Sequence, residues 1–388
     1  MAPKPLEFLA RLKSELPALG DCLDDLGSLY ERKLWHQLTL RLEEVFQDTS
    51  FRRGNALIRL YTGFITDFAS KLNLLKLAQM AVTVSELHED APSALVFLEG
   101  VLEKLKGMRH VKTEEPIAFV RMHIAQQKLR NGEVDECRVL IDEGKEALEG
   151  LADVDPTVHA AYHLVCSLYH KHRREFAEFY RSALMYLAYK SSESLPEERK
   201  LSLAVDISFS ALLADDVYNF GELLLHPIIN VLDTSQYKWL HELLEVFNQG
   251  DMHTYEEMCV KYASVLNEQP ALVENERKLK EKLTIMCLLE LIFSLPAEER
   301  RIPLKVIGER TKLSLDGVEF LLMRALSLHL IEGTIDQVDG YVQVSWVQPR
   351  VLTRPEMQGL LDHLDAWISK VKAVNLSLEQ ETVGVVEV

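Results

Sequence analysis

Apolar residues recur at spacings of three and four from Asp25 to about Gln269, with scarcely any strand-like alternation, so this stretch is expected to be helical. After Gly132 the stripe is Val134, Cys137, Leu140, Ile141, Leu148 and Leu151, while Glu133, Asp135, Glu136, Asp142, Glu143 and Glu146 fill the remainder. Such a helix has to bury one face against neighbours. Short polar turns divide the helices into pairs, at 130–133, 171–174, 215–219 and 248–251. Taking Gly132, Arg174, Asn219 and Gly250 as markers, the spacings are 42, 45 and 31 residues. Those lengths suit a degenerate stack of helical hairpins and are too irregular for a consensus tetratricopeptide array. The function suggested is to present a long surface, since stacked hairpins enclose no obvious pocket.

The pattern changes after Gln269-Pro270. A charged helix from Glu274 to Lys282 runs into an apolar one from Leu283 to Leu295, which Pro296 stops. Residues Ile302 to Thr311 read as a short amphipathic helix, and Ser314 caps another with the stripe Val318, Leu321, Leu322, Ala325 and Leu328. Ile331, Gly333 and Ile335 then alternate with polar residues, 336–340 turn the chain, and Val342, Val344 and Trp346 alternate in their turn. Helix, turn, helix and hairpin make a winged helix. Thr353 and Glu356 form a capping-box pattern ahead of a helix with Met357, Leu360, Leu361, Leu364, Ile368, Val371 and Val374. The fold class expected is mainly α: a TPR-like helical-hairpin solenoid, a winged-helix module and a long C-terminal helix. The boundaries expected are a variable segment 1–28, a repeat array 29–269, the winged helix 270–350, an assembly helix 353–375 and a flexible tail 376–388.

Charge narrows the function. Lys plus Arg is 43 against 60 for Asp plus Glu, a formal net charge of −17 in 388 residues, and such a surface repels phosphate backbones. The winged helix itself has four basic residues (Lys305, Arg310, Lys312, Arg324) against six acidic ones between Ile302 and Trp346. Its outward helix face, Asp316, Phe320, Met323 and Ser327, is apolar to acidic. DNA binding needs a basic stripe, so the module is expected to bind protein and no nucleic acid. The longest stretch without Asp, Glu, Lys or Arg is 156–170, shorter than the roughly 20 apolar residues of a spanning helix, and no membrane association is expected. Charges at Glu7, Arg11, Lys13 and Glu15 interrupt any secretory core, so the mature chain is expected to begin near Met1. Cys22, Cys137, Cys166, Cys259 and Cys287 are too widely spaced for a metal knuckle and read as reduced thiols.

Candidate chemistry fails motif by motif. His159, His163, Cys166 and His170 share one helix face, yet a straight helix offers only two adjacent ligands to one ion and no second cluster completes the shell. His170-Lys171-His172 has the H-x-H form of a zinc deubiquitinase site but lacks the downstream Ser and Asp: the eighth residue after His172 is Tyr180. Gly144-Lys145 is preceded by Val139 where a phosphate loop needs glycine, and no GxSxG exists. Trp35, Trp239 and Trp346 read as core anchors, and Asn375-Leu376-Ser377 as an accidental sequon. No enzyme, no metal site and no cofactor are expected.

The order of array, winged helix and terminal helix resembles the PCI-domain proteins of the proteasome lid, the COP9 signalosome and a translation initiation factor. Three strings sharpen it: Lys33–Leu40 (KLWHQLTL), Asn219–Pro227 (NFGELLLHP) and Val344–Leu352 (VSWVQPRVL). With them the chain, from about Tyr30 to Trp367, is similar to PCI lid subunits of the 26S proteasome regulatory particle. The resemblance implies a non-catalytic scaffold in ubiquitin-dependent proteolysis, in cytoplasm and nucleus. It implies other PCI lid subunits as partners through the winged helix. MPN-domain subunits and other lid subunits would meet it in a C-terminal helix bundle, and the ubiquitin receptor subunit is a further implied neighbour. Interface candidates are Val342 and Val344 at a sheet edge, Phe320 and Met323 on the outward helix, and Leu360, Leu361, Leu364, Ile368 and Val371 on the last helix. The alternative is a PCI scaffold of the signalosome or the initiation factor; a metal-binding enzyme ranks below both.

Overall fold

The computed structural model describes residues 5–15, 20–48, 51, 55–88, 90–108, 113–296, 300–351 and 354–383, with the side chains of the last helix described over 357–378. The chain divides into two compact units, Met1–Leu195 and Pro196–Val388.

The first unit is helical: α1 (Pro5–Glu15), α2 (Gly20–Glu31), α3 (Trp35–Gln47), α4 (Ala56–Leu60), α5 (Thr66–Phe68), α6 (Leu74–Ser85), α7 (Ala91–Gly107), α8 (Glu114–Arg130), α9 (Val134–Gly150), α10 (Pro156–Arg173) and α11 (Phe176–Tyr189). A π-helical turn, Tyr61–Ile65, joins α4 to α5. Helix α6 packs on α7 and α8, and α8 on α9 and α10, so α6 and α8 each touch both the following helix and the next but one, as in stacked hairpins. Local chemistry sets the starts and stops. Asn73 Oδ1 accepts hydrogen bonds from the N–H groups of Leu75 (3.0 Å) and Lys76 (3.4 Å), and Asp155 caps α10 through Thr157 N–H (2.9 Å) ahead of Pro156 in the first turn. Arg174, left-handed at φ 59°, stops α10, and Lys171 and Arg173 lie in its last turn, where a cation suits the dipole. The stripe read on α9 is observed: Cys137 and Ile141 are buried, with Val134, Leu140 and Leu148 packed against the same core. The segment set apart as 1–28 holds α1 and most of α2, which bury Leu9, Leu12, Leu23 and Leu26 in that core.

The second unit opens with α12 (Glu197–Leu213), α13 (Phe220–Leu225), α14 (Asn230–Asp233), α15 (Lys238–Gln249), α16 (Met252–Lys261), α17 (Ala263–Asn267), α18 (Pro270–Glu274) and α19 (Glu276–Ser294). Then come β1 (Arg301–Pro303), α20 (Leu304–Thr311), α21 (Leu315–Ser327), β2 (Ile331–Asp336), β3 (Tyr341–Val347) and α22 (Arg354–Val383). The charged and apolar runs expected as two helices are one, α19, which begins after a break at Asn275. Its buried face, from Leu279 through Ile292, is the spine against which α12, α15, α16, α20 and α21 pack.

The sheet is antiparallel in the order β1-β3-β2. Strand β1 corrects the sequence reading, which ran a helix from Ile302. Proline at 303 disfavours helical backbone at Ile302, and that residue pairs with Val342 instead. A bulge between Glu332 and Gly333 sets Glu332 opposite Trp346 but Gly333 opposite Val344, so Ser345 is the extra residue. It inverts the alternation: Val347 points inward, whereas Trp346, expected in the core, is 40% exposed. Trp239 is a core anchor, and Trp35 is half-buried against Phe68. The last helix continues beyond 375 to Val383; the capping box at Thr353 and Glu356 lies outside the described residues and side chains.

Candidate interaction surfaces

Helix α22 has 30 residues, about 45 Å at 1.5 Å per residue. Every side chain from Met357 to Leu378 is exposed. Apolar residues nevertheless recur at Met357, Leu360, Leu364, Trp367, Val371, Val374 and Leu378, alternating steps of three and four. That is the seam of a left-handed coil, and Leu361 and Ile368 widen it on one side. Leu360, Leu361, Leu364, Ile368 and Val371 therefore lie on one continuous apolar face, which no described side chain of the chain covers. A helix this apolar with no described core to enter is a candidate interaction surface.

The outward face of α21 is the second surface. Phe320 is 69% exposed and Met323 is exposed beside it, while Val318, Leu321, Leu322 and Ala325 are buried on the opposite side. The flanking charges are held by neighbours: Glu319 accepts from Gln337 Nε2 (3.1 Å) and Arg324 Nε lies 3.7 Å from Glu281 Oε1. The face is apolar, edged by carboxylates, and has no row of cations to meet a phosphate backbone.

Val342 and Val344 require a correction. They are 0% and 2% exposed, and β3 is the central strand, paired with β2 on one side and β1 on the other. Val344 N–H itself donates to Arg300 O (3.0 Å), so this part of β3 has no free edge to offer another chain. The strands at the ends of the sheet are β1 and β2, and β2, with six residues against three, is the longer edge of the kind that favours strand addition.

Two cations, the buried Lys282 and the part-buried Arg350, hold the elements that carry these faces. Lys282, 5% exposed, donates to the carbonyls of Ala211 (2.6 Å), Leu212 (3.4 Å) and Ala214 (2.7 Å) at the end of α12. The faces of Tyr218 and Phe220 lie 5.4 and 5.1 Å away. Burial pushes its ammonium down to about 7, and the exposed Asp215 and Asp216 pull the other way. Arg350, just before α22, donates to Glu290 Oε2 and to the backbone carbonyl of Asn248, and meets Asn248 Oδ1 at 3.3 Å. It ties the root of the last helix to α15 and α19.

The histidine face of α10 makes packing contacts. His159 and His163 stack on Tyr189, centroids 4.9 and 5.7 Å away and planes within 14° and 8°, and His170 Nδ1 lies 2.7 Å from Glu175 Oε2. Burial lowers His163 further, while Cys166 and the neighbouring Cys137 are pushed up to about 11 as desolvated thiols. Among the described residues no three His, Cys, Asp or Glu side chains are grouped to hold a metal ion, and no helix is long and apolar enough to cross a membrane.

Comparison with known proteins agrees with this architecture. Residues 22–244 match the family model for PSD13 N-terminal repeats, and residues 259–346 match the PCI domain. The chain is 52% identical over 377 residues to 26S proteasome non-ATPase regulatory subunit 13 homolog B of Arabidopsis thaliana, covering 97% of this chain and 98% of the relative. It is 34% identical to 26S proteasome non-ATPase regulatory subunit 13 of Dictyostelium discoideum, with 99% of both chains covered. Identity to 26S proteasome regulatory subunit RPN9 of Saccharomyces cerevisiae is 30%, with 96% of both covered.

Proposed function

The chain belongs to the family of 26S proteasome non-ATPase regulatory subunit 13, and from that premise we propose that it is a non-catalytic structural subunit of the regulatory-particle lid, scaffolding ubiquitin-dependent degradation in cytoplasm and nucleus. The observation that carries the reading is α22, an apolar seam seven positions long with every described side chain in solvent. A helix of that kind gains stability only from other helices, and the width added by Leu361 and Ile368 favours a bundle of several over a simple pair. MPN-domain and other lid subunits are the partners assigned to it. Other PCI lid subunits are assigned to the winged helix, through Phe320, Met323 and the β2 edge in place of Val342 and Val344. The ubiquitin receptor subunit is a third, neighbouring contact. Full-length similarity to proteasome subunits favours this assembly over the signalosome or the initiation factor. Affinity purification of a tagged chain from cell extract tests the proposal: lid subunits should co-elute, and a chain ending before Arg354 should recover far less of them. Co-elution of signalosome or initiation-factor subunits without the lid would refute it.

A further inference from the structure

Helices α15 to α19 leave a cavity of about 170 Å³ between them. Its floor is Leu243, Phe247, Tyr255, Leu272 and Leu279, all buried, with Phe247 and Tyr255 edge-on at 5.8 Å and 85°. Its mouth carries Cys259, Asn267 and Glu276, and no lysine, arginine or histidine is among the residues that line it. Interiors are otherwise close-packed, so an apolar space this size forfeits contacts that a bound group would restore. A cavity of roughly 150 Å³ accommodates benzene, and two aromatic walls favour a ring presented to them at an angle. Glu276 supplies one negative charge at the opening. Its partner Lys280, at 2.6 Å, is an exposed i,i+4 neighbour, and such pairs are weak enough to exchange.

We propose that this cavity binds a small arylalkylammonium ligand, the ring on the floor and the ammonium at Glu276 and Asn267. The pairing follows from shape and charge together: the volume takes one ring, and the one charged residue lining it is Glu276, whose carboxylate the ligand's ammonium would take over from Lys280.

Cys259, half-buried in the wall, reports occupancy. Its thiol is raised by burial, so alkylation by N-ethylmaleimide should be followed in the full chain near about pH 8.5, with peptide mapping and the half-buried Cys22 as internal reference. At millimolar concentration 2-phenylethylammonium should slow modification of Cys259 and leave Cys22 unchanged. The neutral 2-phenylethanol should protect less, and phenylacetate least. Glu276→Gln should weaken the cation's advantage by about two- to fivefold, the range of a half-exposed ion pair. Ala263→Trp, which fills the mouth, should abolish protection; if that variant fails to fold, Glu276→Gln carries the test alone. The proposal falls if no probe slows Cys259 relative to Cys22, or if phenylacetate protects as well as the cation. It falls also if Glu276→Gln leaves the cation's advantage over 2-phenylethanol undiminished.

Discussion

The Lys282 ammonium sits 2.7 Å from the carbonyl oxygen of Ala214 and 2.6 Å from that of Ala211, closing the C-terminal end of α12 with a cation. Three carbonyls and two aromatic faces do the work that a counter-ion usually does. Helix ends leave carbonyls without partners, and a donor with three N–H groups satisfies several at once. The arrangement fixes α12 against α19, the spine of the second unit.

A pH dependence follows from the buried amine. Its folded value, about 7, lies below the 10.5 of a free lysine, so between those limits the unfolded chain holds more protons. Stability contributed at this site therefore rises with pH across that window and is lowest below about 7, for a maximum swing of about 5 kcal/mol. Lys282→Met removes the titration and leaves the carbonyls of Ala211 and Ala214 without their donor. The stability difference between wild type and Lys282→Met should shift in favour of wild type as pH goes from about 7 to 10, measured by urea unfolding at each pH. A difference that stays flat across the range would show that the ammonium keeps its ordinary affinity for the proton.

Much of this fold is legible because burial leaves a periodic trace. The stripe of Cys137 and Ile141, the apolar run of α19 and the alternation of Val342 and Val344 each predict an element that exists. What failed was the step from an element to its neighbours. Val344 reads as a surface strand because β1, three residues long and some forty residues earlier, gives no signal of its own. Trp346 reads as core because nothing in the pattern announces a bulge at Ser345. Lys282 reads as part of a charged helix, although its spacing of three from Leu279 and four from Met286 places it on the buried face. The seam of α22 was legible throughout, because an uncovered apolar face keeps its pattern whether or not its partner is present.

Gly250 and Gly132 should respond differently to the same substitution. Both have positive φ, 64° and 87°, so alanine strains the backbone by about 1 kcal/mol at either site. At Gly132 a Cβ would meet nothing within 4 Å, whereas at Gly250 it would lie 2.7 Å from the backbone nitrogen of Cys287. Neither α15 nor α19 can move aside without opening the core around Phe247. Gly132→Ala should cost about 1 kcal/mol and Gly250→Ala at least about 3 kcal/mol, compared by chemical denaturation. Equal losses would mean that the contact with Cys287 is not a close one in solution.

Arg350 is expected to matter more to stability than its place near the end of the chain suggests. Removing it strands Glu290 and the Asn248 carbonyl, one half-exposed and the other part-buried, so Arg350→Met should cost about 1–3 kcal/mol. Glu290→Gln keeps an acceptor and should cost less than half of that. If Arg350→Met melts like wild type, the tie between α22 and the body is not energetically significant.

The last helix offers the sharpest separation of stability from assembly. Leu364 and Ile368 are exposed in the isolated chain, and surface changes of this kind alter stability by about 0.5 kcal/mol or less. The double variant Leu364→Asp, Ile368→Asp should therefore melt with the wild type. In a helix bundle the same two positions are enclosed, and each carboxylate would be desolvated without a partner at a cost of several kcal/mol. Incorporation into the lid should fall at least tenfold, since about 1.4 kcal/mol already gives a factor of ten. Phe320→Asp on α21 makes a useful companion, because its 69% exposure predicts the same unchanged melt with a defect confined to neighbours of the winged helix. Circular dichroism melts paired with quantification of co-purifying lid subunits separate the outcomes. Normal incorporation of the double variant would remove α22 from the assembly, and a large drop in melting temperature would mean that the helix packs on its own chain.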